Sequence, residues 1–137
     1  AATVRTFSDA ARERMQMAAP RLLQGIAAAH GLEVEVTYEG QYPPTVNDAR
    51  AVDLAEKVAN ALPDGQFIRM PAPIMGAEDF SYMLQKKPGC FVWLGAGPTS
   101  DGHVLHNERY DFNDRLLPLG AEFWIRLVQS ELPAGEP

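Results

Sequence analysis

The chain has 137 residues, enough for one domain of ordinary size with a real hydrophobic core. With 46% hydrophobic and 22% charged residues it is composed like a globular protein, and its net charge of −6, without basic clusters, argues against nucleic acid or an anionic membrane surface as a partner. A single cysteine, Cys90, excludes an internal disulfide and a thiolate metal cluster; with no secretory signal and no bilayer-length apolar run, a reducing, cytoplasmic location is expected.

Residues 3–7, Thr-Val-Arg-Thr-Phe, are β-branched and aromatic and predict a strand. Ser8 or Asp9 is placed to cap a helix in which Met15, Ala19, Leu22 and Ile26 recur at helical period. Pro20 predicts a kink in it, and His30-Gly31 closes it, with Gly31 as the left-handed cap. From Glu33 to Tyr42 the chain alternates, Val34, Val36 and Tyr38 against Glu33, Glu35 and Glu39, as in a strand wet on one side. Residues 3–42 thus form a strand-helix-strand unit. Pro43-Pro44 ends it, and a domain boundary is expected at residues 45–47.

Beyond that point Asp48 (or Asn47) caps a helix with Ala51, Ala55, Val58 and Leu62 on one face, stopped at Pro63-Asp64-Gly65. Residues 67–70 predict a short strand, and Pro71 and Pro73 hold the chain extended toward Gly76. Gly76-Ala77-Glu78-Asp79-Phe80 opens a short helix with Phe80, Met83 and Leu84 on one face, ended by Pro88 and Gly89. Residues 90–94, Cys-Phe-Val-Trp-Leu, predict a buried strand running into Gly95-Ala96-Gly97-Pro98. The chain then stays irregular to Asp114, placed to cap a last helix with Pro118 in its first turn and Leu117, Ala121, Trp124 and Val128 in its stripe. Helices alternating with strands argue for a layered α/β arrangement.

In open α/β sheets ligands bind at loops leaving the carboxyl ends of strands, so the stretch after residue 94 is where chemistry is expected. It carries Asp101, His103, His106, Asp111 and Asp114. His106 is the candidate metal ligand, an imidazole on a loop at the mouth of the sheet. His103 lies three residues earlier, but without a helix that spacing does not bring two rings together, and it is read as a solvent-facing loop residue. Glu78 and Asp79 diverge by roughly 100° on a helix and cannot face one point; they suit a helix amino terminus equally well. Gly97, with Gly95, lets main chain approach a ligand or simply turns the chain out of the strand. The Arg5 fork suits a carboxylate, although an exposed strand arginine is ordinarily just solvated. Asn107 is placed to reach a substrate, and Asp111 to orient His106 through its second ring nitrogen.

Several motifs now stand in order along the chain. They are Gly-Ala-Glu-Asp-Phe-Ser-Tyr-Met-Leu at 76–84, a strand ending Leu-Gly-Ala-Gly at 94–97, Leu-His-Asn-Glu-Arg-Tyr-Asp-Phe-Asn-Asp at 105–114, and a final helix. Together they resemble the carboxyl-terminal part of the dinuclear-zinc aminoacylase and carboxypeptidase family, most nearly its hippurate-hydrolase-like amidohydrolases, which cleave N-acyl amino acids. The resemblance covers essentially the whole chain. It implies an α/β fold in which residues 1–45 are the second half of a ferredoxin-like lid, or dimerisation, domain. Residues 46–137 would then be the carboxyl-terminal part of a layered catalytic domain. It implies two zinc-type divalent ions in the complete enzyme, one held by His106, with the general base and most ligands upstream and no catalytic residue here. By the same resemblance Arg5 holds a substrate carboxylate, Glu78 borders the cleft, Gly97 and Asn107 lie on the substrate side, and Asp111 stands behind His106. A small N-acyl amino acid or peptide substrate and a homodimer formed through the lid follow, and the chain alone is expected to be inert and to hold zinc weakly or not at all. Two departures stand out: Ala2 where the family has glycine, and Glu108 where proline is common. A homo-association module with open sheet edges and a non-catalytic α/β ligand-binding domain are the alternatives.

Overall fold

Four segments are helical in the computed structural model, which describes residues 1–40, 42–63, 65–97 and 103–132. They are α1 (Asp9–Ala29), α2 (Ala49–Asn60), α3 (Phe80–Leu84) and α4 (Leu116–Glu131). Of the positions singled out in the sequence, Asp64, Pro98 and Asp101 lie outside the described residues.

The ends of α1 follow from its sequence. The Ser8 hydroxyl accepts the Ala11 N–H at 3.2 Å, satisfying one of the free amides of the first turn. Asp9 beside it pairs with Arg12 at 3.1 Å. The helix runs on through Pro20 as a single element. At its end Gly31 adopts φ 67°, its N–H donates to the Ala28 carbonyl and the Leu32 N–H to that of Ala27, a Schellman closure. The predicted apolar stripe is present but uncovered: Met15, Leu22 and Ile26 are all exposed.

In α2 the Asp48 carboxylate accepts the Ala51 N–H at 3.0 Å, and the predicted face is the one that is buried. Ala55, Val58 and Leu62 are the buried apolar side chains. Full burial of a Val or Leu side chain stabilises by about 1.5–3 kcal/mol, so this face is the principal source of stability in its region. α4 packs against α2, and Arg126 of α4 donates to the Ala61 carbonyl at 3.0 Å while pairing with Glu122. Asp114 does not cap α4 as predicted: the helix starts two residues later, and the Asn113 carboxamide oxygen accepts the Arg115 N–H at 3.3 Å instead. Pro118 does lie in the first turn, where its missing N–H is harmless.

The four segments predicted as strands, 3–7, 33–42, 67–70 and 90–94, form no β-ladder among the described residues. The regular secondary structure of the described residues is helical, and the expected layered α/β architecture and lid find no ladder there to support them. The reason is the difference between a pattern and a partner. Alternation survives only in part of 33–39: Val36 and Tyr38 are half-buried and Glu33, Glu35, Thr37 and Glu39 exposed, but Val34 is exposed as well. A helix satisfies its own backbone, whereas an extended segment needs a second strand, and none is paired with these.

By its internal contacts the chain divides into two units, Ala1–Asn47 with Met70–Pro88, and Asp48–Arg69 with Gly89–Pro137. In the first, Ser81 is fully buried and Tyr42 meets Tyr82 edge-on at 6.1 Å. In the second, everything is tied to α2. The Asp48 N–H donates to the Gly89 carbonyl at 2.9 Å, the Cys90 thiol to the Ala51 carbonyl at 3.4 Å, and the Phe67 N–H to the Asn60 side chain at 2.9 Å. Arg69 donates to Glu56 and Asp53 across the helix surface.

Gly65 turns the chain back after α2, and a Cβ there would lie 2.0 Å from the Ala59 carbonyl oxygen and 2.9 Å from Leu62 Cβ. Gly65→Ala is expected to destabilise by about 1–3 kcal/mol in urea titrations. Gly25→Ala, whose Cβ meets nothing within 4 Å in the middle of α1, should stabilise by about 0.5–1 kcal/mol. Burial, and secondly the Asp48 carboxylate, push the Cys90 thiol above its ordinary pKa. A raised folded-state pKa adds stability that is complete below the unfolded value and lost as pH rises through the folded one. Stability should thus decline above about pH 8.5, and Cys90→Ala should flatten that alkaline limb.

Candidate functional site

The stretch expected to carry chemistry is held at both ends. On its amino side, Gly89 and Cys90 are tied to the start of α2 by their hydrogen bonds, and Gly97 turns the chain at φ 73°. On its carboxyl side, the Leu116 N–H donates to the Asn113 carbonyl at 3.0 Å as α4 begins. Asn113 Nδ2 donates to the Ala96 carbonyl at 3.2 Å, which joins the two sides.

Between them lies a compact turn. The Asn107 N–H donates to the Val104 carbonyl at 3.1 Å, and the Tyr110 N–H to the Asn107 carbonyl at 3.0 Å. The Asn107 side-chain oxygen accepts the Arg109 N–H at 2.8 Å. His106 occupies the third position of the first of these turns at φ 70°, the one non-glycine residue with positive φ among the described residues. That position ordinarily takes Gly or Asn, and the left-handed conformation costs another residue roughly 1–2 kcal/mol. Such outliers concentrate at functional sites, where the surroundings hold the residue in place. The imidazole is exposed at this point.

The six predicted site residues divide between the units. Arg5 and Glu78 belong to the first; Gly97, His106, Asn107 and Asp111 to the second. Arg5 is exposed. Glu78 serves the start of α3: its carboxylate accepts the Phe80 N–H at 3.4 Å and its carbonyl the Ser81 hydroxyl at 2.7 Å, while Asp79 makes no capping bond. Asn107 spends its side-chain oxygen on its own turn, which leaves the amide nitrogen to donate elsewhere. Asp111 is exposed and makes no hydrogen bond to His106 among the described residues. His103, read from the sequence as solvent-facing, is half-buried.

Asn113 does not stand out in the sequence. The available signal is its place beside Asp114 ahead of an apolar stripe, where either residue can cap. Among the described residues no group of three or more His, Cys, Asp or Glu side chains could hold a metal ion. A tetrahedral ion takes about four ligands, so His106 offers one and these residues do not complete a site. A cavity of about 320 Å³ in the first unit is lined by Phe7, Pro44, Val46 and Leu84 among others, and by none of the six predicted residues.

Because the left-handed backbone at His106 is a local cost, His106→Gly should raise stability by about 1 kcal/mol. His106→Val, β-branched at the same φ, should lower it; chemical denaturation of the three forms checks both.

Residues 4–130 match the model of Peptidase family M20/M25/M40. The chain is 29% identical over 127 residues to hippurate hydrolase of Campylobacter jejuni, covering 92% of this chain and 32% of that protein. It is 30% identical over 122 residues to thermostable carboxypeptidase 1 of Saccharolobus solfataricus, covering 87% and 30%. It is 29% identical over 126 residues to N-acetylcysteine deacetylase of Bacillus subtilis, covering 92% and 32%. No solved structure gives a significant match. The chain spans about a third of the length of the curated relatives it matches. The match runs from ahead of α1 to the penultimate residue of α4, with the His106 turn inside it, and the chain belongs to Peptidase family M20/M25/M40.

Proposed function

We propose that this chain is the carboxyl-terminal portion of a metal-dependent amidohydrolase acting on N-acyl amino acids or small peptides. The observation that carries this reading is the family match over residues 4–130, with relatives named for hippurate, N-acetylcysteine and carboxyl-terminal peptide substrates. The exposed, left-handed His106 at the centre of a pinned turn supports its role as a ligand. The uncovered apolar stripe of α1 supports a fold completed by further polypeptide.

In this reading His106 supplies one imidazole to a two-metal, zinc-type centre whose other ligands and general base lie outside the 137 residues. Such ions lower the pKa of a bound water and polarise the carbonyl under attack. Residues 46–137 are catalytic-domain sequence and residues 1–45 half of a lid. Arg5 is assigned to the substrate carboxylate, Glu78, Gly97 and Asn107 to the substrate side, and Asp111 to the outer support of His106. Pairing of two copies through residues 1–45 belongs to the same proposal, since unpaired extended segments invite strand addition. A cytoplasmic location completes it.

The test is expression with the upstream coding sequence and assay against hippurate and N-acetylcysteine. The extended protein should hydrolyse at least one of them. His106→Ala should lower kcat/KM by more than about 100-fold, the upper range for loss of a residue that merely supports a ligand. Light scattering of the same preparation should read a dimer; a monomer removes the pairing through residues 1–45. The 137-residue chain alone should show no turnover, and stoichiometric zinc with hydrolysis by that chain would sink the proposal.

A further inference from the structure

We propose that Asn113 is a positioning residue for His106, holding the base of the stretch that carries it. The inference rests on the reading of His106 as the functional imidazole. One planar carboxamide makes two bonds of opposite kind: Nδ2 donates to the Ala96 carbonyl at 3.2 Å, and Oδ1 accepts the Arg115 N–H at 3.3 Å. It thereby joins two positions 17 residues apart in sequence, with Gly97 turning away at φ 73° immediately after one of them. The residue is half-buried and its bond to Ala96 is partly shielded from water, while that from Arg115 is exposed.

The side-chain chemistry is specific. A carboxylate at this position retains the acceptor for Arg115 but has no donor for Ala96, and alanine has neither. The backbone of His106 is held in a conformation that persists only where its surroundings over-determine it. The Asn107 turn supplies the near constraint. The Asn113 bridge supplies the far one, by closing a long segment whose ends would otherwise be free to separate. Asn113 touches no reacting atom in this scheme. It sets where the imidazole stands relative to α2 and α4.

The test uses the 137-residue chain with Asn113→Asp and Asn113→Ala, read by NMR amide exchange and by the ring resonances of His106. Asn113→Asp keeps the start of α4 and loses the bridge. The Asn107 and Tyr110 amides should exchange about fivefold faster, as for loss of one ordinary hydrogen bond, and the His106 ring resonances should shift, while amides within α4 stay unchanged. Asn113→Ala should free the same turn amides and the Arg115 amide as well. If the turn amides are unmoved in Asn113→Asp, or move only together with those of α4, Asn113 merely starts a helix and the proposal is overturned. If the turn is freed while His106→Ala leaves hydrolysis by the extended enzyme intact, the bridge stands and the assignment of His106 is what fails.

Discussion

Burial of one face of α2 is the interaction on which the second unit depends. Ala55, Val58 and Leu62 are its buried apolar side chains, and α4 packs against the same helix. The surrounding polar contacts arrange chain around that face without supplying comparable stability. Arg69 reaches both Glu56 and Asp53, and those partners raise its pKa, but the group is solvent-exposed and such pairs are screened to little net effect. Removing a methylene from the face costs more than removing the ion pair beside it. The candidate site inherits its position from this seam, because Gly89 and Cys90 are bonded to the start of α2 and residues 113–115 lead directly into α4.

A second constraint explains what the described residues do not build. Main-chain amides and carbonyls must be paired or hydrated. The helices meet this internally, and α1 does so with complete caps at both ends although none of its residues is buried. The extended segments cannot. Their apolar side chains, Val4 and Phe7 in one and Trp93 in another, remain open to solvent. The apolar stripe on α1 is likewise exposed, at Met15, Leu22 and Ile26.

His106 lies on irregular backbone, and the conformational cost of its turn falls on the histidine itself, not on a neighbouring glycine. Asn107 and Asn113 hold it from either side with side-chain bonds to backbone. The ring is exposed on a tight local turn whose base is joined through Asn113 to Ala96.

Much of this is determined by local sequence. Ser8, Asp48, Gly31 and the α2 face act within a turn or two of themselves, so the order of residues alone makes their roles legible, and the family is recognisable from motifs in order. Where a role requires choosing between adjacent residues, the structure chooses: Asn113 over Asp114, because only a carboxamide both accepts the Arg115 N–H ahead of α4 and donates to Ala96, and Glu78 over Asp79 at the start of α3. The left-handed backbone of His106 and the half-burial of His103 are likewise decided by how the loop closes. Strands lie at the far end of this scale. Composition and alternation can mark a segment as suited to a sheet, but a ladder is a contact between segments distant in sequence, and no residue carries the identity of its partner.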